Sequence, residues 1–152
     1  MYSNLYDLPG HRIRRVNQII VARFTERCQA TGITPVQYAA MMAIRHEGAN
    51  DATQISAMIG FDRATLGSVL DRLEKRGLIV RGGHPTDRRV KVISLTPAGN
   101  LALDEVHPLV LASQGDFMSL LDPEEQQQLM TLLDKIIRKS EHYSGPAGDA
   151  DA

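Results

Sequence analysis

Arg63, Thr65, Gly67, Ser68 and Arg72 fall in one short stretch of the chain, and His84, Arg88, Arg89 and Lys91 follow close behind. Guanidinium, hydroxyl and ammonium groups clustered in this way suit hydrogen bonding to phosphate oxygens and base edges. A guanidinium can bridge two acceptors at once, which both a phosphate and a guanine edge present. Residues 63–91 carry eight basic side chains (Arg63, Arg72, Lys75, Arg76, Arg81, Arg88, Arg89, Lys91) against Asp71, Glu74 and Asp87. The whole chain has a net charge of −1, so the rest of it is acidic. One concentrated basic stretch in an acidic protein describes a local reader of phosphate, not a generally adhesive cation.

Other chemistries lack their residues. There is no nucleotide-binding glycine loop and no nucleophile elbow. The five histidines (11, 46, 84, 107, 142) are scattered singly, without metal-ligand spacing. No catalytic role, cofactor or metal is expected. Cys28 is the single cysteine, which excludes an internal disulfide. No apolar run approaches the ~20 residues needed to span a bilayer, and the opening residues lack the character of an export signal. A cytoplasmic protein is the expectation.

The elements that must position the basic cluster are legible from caps and periodicity. Asp62 caps a helix whose inward face is Leu66, Val69, Leu70 and Leu73, and Gly77 suits its C-terminal turn. Arg63, Thr65, Gly67, Ser68 and Arg72 lie off that face. Asp51 and Gln54 open a preceding short helix through Ile55, Met58 and Ile59 to Gly60. Two helices separated only by Gly60-Phe61-Asp62 are a helix-turn-helix by spacing. Leu78–Arg81 and Arg89–Leu95 read as strands, joined by a loop over residues 82–87. That ribbon is a cationic wing beside the reading helix. Thr34-Pro35-Val36-Gln37 starts another helix, ending near Gly48.

Outside this unit, Pro9 opens a long helix to about Ala30, with Ile13, Val16, Ile20, Phe24 and Cys28 on one stripe. Thr96-Pro97 starts a fifth helix, expected to be interrupted near Pro108. Asp122-Pro123-Glu124-Glu125 caps a sixth with Leu129, Leu132, Leu133, Ile136 and Ile137 on one face. The tail 144–152 has a disordered composition. The expected fold is mainly α (α+β), a winged helix-turn-helix over 34–96. Residues 8–32 and 97–143 would form a helical dimerisation region, because their apolar stripes must be buried and a second copy is the cheapest partner. A two-fold dimer presents two reading heads to a near-palindromic duplex with half-sites ~34–36 Å apart.

The run Ala64–Ile79, with Asp87-Arg88-Arg89 and Leu95-Thr-Pro-Ala-Gly99, resembles the MarR family of bacterial transcription regulators over residues 10–140. The resemblance implies a homodimeric repressor, released from its operator by a small aromatic or phenolic ligand or, in some members, by thiol oxidation. The opening His11-Arg-Ile-Arg-Arg15 is most similar to the branch governing degradation of aromatic acids. The resemblance also implies that an arginine of the wing enters the minor groove, with Asp87 holding it through an ion pair. A narrow groove concentrates the negative potential that such a guanidinium occupies. Both Arg88 and Arg89 remain open for this role; the Asp-x-Arg pattern favours Arg89. His84 and Lys91 are expected at phosphates.

His11, Arg15 and Gln18 form a polar stripe on the first helix that could clamp a carboxylate, with Tyr38, Met41 and Met42 as stacking and apolar walls. The plainer alternatives are a solvated stripe and a methionine pair that fills the core. Cys28 shares the apolar face of Ile20 and Phe24, where a thiol behaves as a small hydrophobe; a redox sensor is the alternative. A winged helix used only for protein contacts is a third reading. Steep salt dependence of DNA affinity separates it from a DNA binder.

Overall fold

The computed structural model describes residues 4–46, 50–83, 86, 89 and 91–141, with Lys91 and Glu141 in backbone only. Helix α1 (Pro9–Cys28) starts on a proline in its first turn, behind a short 3-10 turn at Leu5–Asp7. Of its apolar stripe, Phe24 and Cys28 are buried, Ile20 is half-buried, and Ile13 and Val16 are exposed. Helix α2 (Pro35–His46) opens on a reciprocal box: the Thr34 N–H donates to Gln37 Oε1 at 3.0 Å, and the Gln37 N–H to Thr34 Oγ1 at 3.3 Å. The expected stop at Gly48 lies outside the described residues.

Helix α3 (Ala52–Ile59) is capped by Asp51, whose carboxylate accepts from the Gln54 N–H at 2.8 Å. The Gln54 side chain reaches back one residue further than expected, to the N–H of Asn50 at 3.0 Å. Gly60 turns the chain at φ +69°, a left-handed conformation that a side chain would strain. Asp62 then caps helix α4 (Arg63–Lys75). Leu66, Leu70 and Leu73 of α4 are essentially inaccessible and join Ile55, Met41, Ile79, Leu103 and Val106 in one core. Strands β1 (Ile79–Gly83) and β2 (Lys91–Leu95) pair antiparallel, from Ile79 opposite Leu95 to Gly83 opposite Lys91.

Three boundaries differ from the sequence expectation. Gly82 and Gly83 belong to β1, not to the loop, because their partners Val92 and Lys91 hold them by backbone alone. Arg89 stands in a turn, and β2 begins at Lys91. Helix α5 (Pro97–Met118) is continuous through Pro108. A proline there removes one backbone bond, but Leu103, Val106 and Val110 are buried on either side of it and keep the axis on course.

The chain divides into two compact units after Gly115. The second, as far as it is described, holds the end of α5 and helix α6 (Pro123–Glu141). Asp122 and Glu125 cap α6 reciprocally, at 2.9 and 3.0 Å. The Gln126 amide donates to the carbonyls of Met118 and Leu121 and closes the turn. The tail 144–152 lies outside the described residues.

Candidate DNA-reading surface

Helix α4 is two-sided as its sequence requires. While Leu66, Val69, Leu70 and Leu73 face inward, Arg63, Thr65, Ser68 and Arg72 are exposed. Neither Arg63 nor Arg72 makes an ion pair with another described residue. No described residue occupies either guanidinium, and both are exposed to an acceptor from outside the chain. The Thr65 N–H donates to Asp62 Oδ1 at 2.7 Å, and its hydroxyl donates to Asp62 Oδ2 at 2.6 Å. The two hydrogen bonds from Thr65 hold the Asp62 carboxyl below the usual carboxylate range. With its proton committed, Thr65 offers outward only hydroxyl lone pairs and a methyl group. Ser68 likewise donates to the Thr65 carbonyl at 2.9 Å.

Gly67 sits on the same side of α4, and a Cβ there would meet no described residue within 4 Å. Close helix packing inside the chain therefore does not account for this glycine. Gly99 is the opposite case: a Cβ there would lie 1.9 Å from the Leu78 carbonyl oxygen. The start of α5 rests directly on the exit from α4, and Thr96 fastens it by donating to the Gly77 carbonyl at 2.6 Å while accepting from the Gly99 N–H at 3.0 Å.

The ribbon is tied to the rest of the fold at several points. The Ile93 N–H donates to the Asn50 carbonyl at 2.8 Å, which anchors β2 to the entry of α3. Arg81 on β1 reaches α4, placing Nη2 at 2.7 Å from Asp71 Oδ1 and Nη1 at 3.2 Å from Glu74 Oε2. Arg76 turns its guanidinium away from the reading face to the carbonyls of Gly32 (2.7 Å) and Thr31 (3.3 Å). Sequence reasoning counted Arg76 and Arg81 only as charge. Period-two alternation could have shown that Arg81 shares the face of buried Ile79; nothing local announced Arg76. Of the wing residues, Arg89 is exposed, whereas His84, Asp87, Arg88 and the Lys91 side chain lie outside the described residues.

The expected ligand residues fall in two groups. His11 and Arg15 line a shallow surface concavity with Leu5, Tyr6, Arg12 and Val16. The Tyr6 ring meets His11 edge-on at 5.5 Å, and Arg12 Nε donates to the Tyr6 carbonyl at 3.0 Å. Gln18 continues the stripe, accepting from Arg15 Nη1 at 3.4 Å. Tyr38 is half-buried beside Phe24, with its hydroxyl 2.7 Å from His107 Nδ1 and the two rings stacked at 6.1 Å. Burial raises the Tyr38 phenol above its ordinary range. Met42 is half-buried, whereas Met41 is completely enclosed in the core. The Tyr38–His107 pair was not anticipated. Cys28 is also inaccessible, and burial pushes its thiol up, the direction opposite to that of a sensor.

Among the described residues no group of three or more His, Cys, Asp or Glu could hold a metal, and no helix is long and apolar enough to cross a membrane. A half-exposed helix after a three-residue turn, flanked by a basic antiparallel ribbon, defines a winged helix-turn-helix DNA-binding protein. Residues 33–91 match the MarR family. The transcriptional regulator HosA of Escherichia coli is 32% identical over 128 residues, spanning 84% of this chain and 93% of that protein. The structure of Bordetella bronchiseptica BpsR, described with regulation of its DNA binding by 6-hydroxynicotinic acid, superposes with a TM-score of 0.81. It is 28% identical and covers 88% of this chain and 95% of that one. The repressor CouR of Rhodococcus jostii, bound to a 23-mer DNA duplex, has a TM-score of 0.77 at 26% identity, covering 90% of this chain and 97% of CouR. The chain belongs to the MarR family. It is a DNA-binding transcriptional repressor of that type and not an enzyme.

Proposed function

We propose that the protein is a homodimer that holds a pseudo-palindromic operator and is released from it by a small aromatic carboxylate. Residues 34–96 form the reader in this proposal, while 8–32 and 97–143 pair the subunits. Arg63, Thr65, Gly67, Ser68 and Arg72 address base edges and adjacent phosphates in the major groove. His84, Arg88, Arg89 and Lys91 grip the backbone and the minor groove, with Asp87 supporting the inserted arginine. The observation that carries the reading is the outward face of α4, where two guanidiniums without an ion-pair partner among the described residues flank a glycine that no described residue approaches.

Pairing is supported by apolar side chains that one chain leaves exposed: Ile13, Val16 and Ile19 on α1, and Leu132, Leu133, Ile136 and Ile137 on α6. Such stripes on long helices are the usual material of subunit interfaces. The ligand is assigned to His11, Arg15 and Gln18 as carboxylate partners. Tyr38 and Met42, backed from the core by Met41, are assigned as a second, stacking and apolar contact group, apart from the concavity at His11 and Arg15. BpsR, whose DNA binding responds to 6-hydroxynicotinic acid, and CouR, seen with p-coumaroyl-CoA, are the precedents among similar structures.

Fluorescence anisotropy against salt tests the DNA half. Affinity for a duplex selected from a random pool should fall by about 0.9 log unit per phosphate contact per log unit of salt. A flat profile, or a strictly monomeric protein in sedimentation, refutes the proposal. Thermal-shift screening of aromatic acids tests the ligand half. Calorimetry on the hits should show Arg15→Ala binding at least tenfold more weakly, and an unchanged affinity removes Arg15 from the site.

A further inference from the structure

Arg81 sits in the basic stretch and would ordinarily be counted among the residues that grip phosphate. Its surroundings say otherwise. Residues two apart on a strand share a face, and Ile79 is buried, so Arg81 projects to the same side, toward α4. There its two terminal nitrogens are divided between Asp71 (2.7 Å) and Glu74 (3.2 Å), which follow one another at i and i+3 on the helix. These carboxylates would repel each other and any nearby phosphate if left alone. The Arg81 side chain between them is about one-third exposed. A planar fork with each prong on a different carboxylate fixes orientation as well as distance, which a single point charge cannot do.

We propose that Arg81 is a positioning residue for DNA recognition, a strut joining the base of the wing to the second half of the reading helix. It rests on the assignment of α4 and the wing as the two DNA-contacting elements. The register supports the geometry. Arg81 pairs with Ile93, the residue whose N–H is held by the Asn50 carbonyl. The ribbon is thus fastened at this level on two sides, by backbone to the entry of α3 and by Arg81 to α4. Beyond it only Gly82 and Gly83 continue β1, and they add no side chains to stiffen it. The angle at which the wing leaves the body is set at Arg81. Because its charge is already neutralised by two acids, Arg81 releases no counterion when DNA binds.

The strut and the phosphate contact predict different measurements. With a duplex selected from a random pool by the parent protein, Arg81→Ala should raise Kd by about 5- to 30-fold. The slope of log affinity against log salt should remain that of the parent; losing the cation weakens binding to any duplex, so the reading is the ratio of selected to unrelated affinity, which should fall at least threefold. The double variant Asp71→Asn/Glu74→Gln supplies the opposite check. Removing two negative charges next to DNA favours binding to any sequence by simple electrostatics, yet a lost strut must lower the ratio of selected to unrelated affinity, by at least fivefold. Arg81→Lys, which keeps the charge without the fork, should fall between parent and Arg81→Ala, and it serves if the alanine variant does not fold. A salt slope smaller by about 0.9 in Arg81→Ala makes Arg81 a phosphate contact and overturns the proposal. So does a double variant with the parent's ratio. Should the parent itself bind no duplex, the assignment of α4 and the wing fails instead, and the two failures are distinct.

Discussion

Replacing Gly67 with alanine should move stability and DNA binding in opposite directions. Gly67 is in the body of α4 with ordinary helical backbone; the positive-φ glycines among the described residues are Gly32, Gly60 and Gly77. A Cβ at Gly67 has no neighbour within 4 Å, so the free protein gains helix propensity without a steric cost, about 1 kcal/mol. For a chain of this length that raises the melting temperature by about 2–4 °C in scanning calorimetry without DNA. The added methyl points to the side where Arg63, Thr65, Ser68 and Arg72 are exposed. If a groove edge closes on that side, the methyl overpacks the interface at ~1–3 kcal/mol, or roughly 5- to 150-fold in Kd by anisotropy. A variant that is more stable and binds a selected duplex as tightly as the parent would show that no DNA approaches α4 at this point. A variant that melts lower would show that the space before Gly67 is not empty, and the premise would fail before DNA is added.

Three further outcomes follow from the same structure. Gly99→Ala forces a methyl to within 1.9 Å of the Leu78 carbonyl oxygen, where only backbone can yield; it should lower stability by ~1–3 kcal/mol or more in urea unfolding, and unchanged unfolding would refute the contact. The buried, protonated Cys28 thiol should resist a thiol reagent at neutral pH until the protein is unfolded, and peroxide should leave DNA binding intact; loss of binding that Cys28→Ser prevents would reinstate redox control. The lowered Asp62 carboxyl contributes its cap fully above the ordinary aspartate range, about pH 4, and the contribution is lost as pH falls through the depressed folded value. Asp62→Ala should therefore be less stable than the parent at neutral pH, with the gap closing in strong acid; a gap independent of pH would mean the carboxylate is not the cap.

The parts of this fold that were legible in the chain are those decided locally. Thr34 with Gln37, Asp51 with Gln54, and Asp122 with Glu125 each announce a helix start within four residues, because the orphan N–H groups of a first turn are satisfied by neighbours in sequence. The two faces of α4 follow from leucine spacing alone. Pro108 misled because propensity is a weak prior: one missing hydrogen bond inside α5 is outweighed by apolar burial on both sides of it. Gly82 and Gly83 hid two residues of β1, since a strand without side chains has no alternation to read. The apolar stripe of α1 was visible as a stripe, but its division into buried Phe24 and Cys28 and exposed Ile13 and Val16 depends on which elements cover it. Tyr38 and His107 stand 69 residues apart, and no local pattern pairs them. The basic wing was legible as charge; what Arg76 and Arg81 do with theirs was not, because both partners are reached only after folding.

Those long-range ties constrain how a ligand could act on DNA. Arg76 joins the end of α4 to the turn between α1 and α2. Arg45 pairs with Asp104, and Tyr38 with His107, so α2 is bound to α5 at two places, about two turns apart on α2 and about one turn apart on α5. Helix α4 is packed into the same core and cannot tilt by itself without breaking the Arg76 contacts and unpacking Leu66, Leu70 and Leu73. A mobile reading helix on a static body is therefore the expensive route to release. In the proposed dimer, the cheaper one displaces the reader as a unit, so that two copies would no longer match half-sites one duplex turn apart. A hundredfold loss of operator affinity then requires a ligand that prefers the displaced arrangement by about 2.7 kcal/mol. One charge-assisted hydrogen bond from Arg15 to a carboxylate, at roughly 1.5–3 kcal/mol, covers that difference if it forms in one arrangement and not in the other.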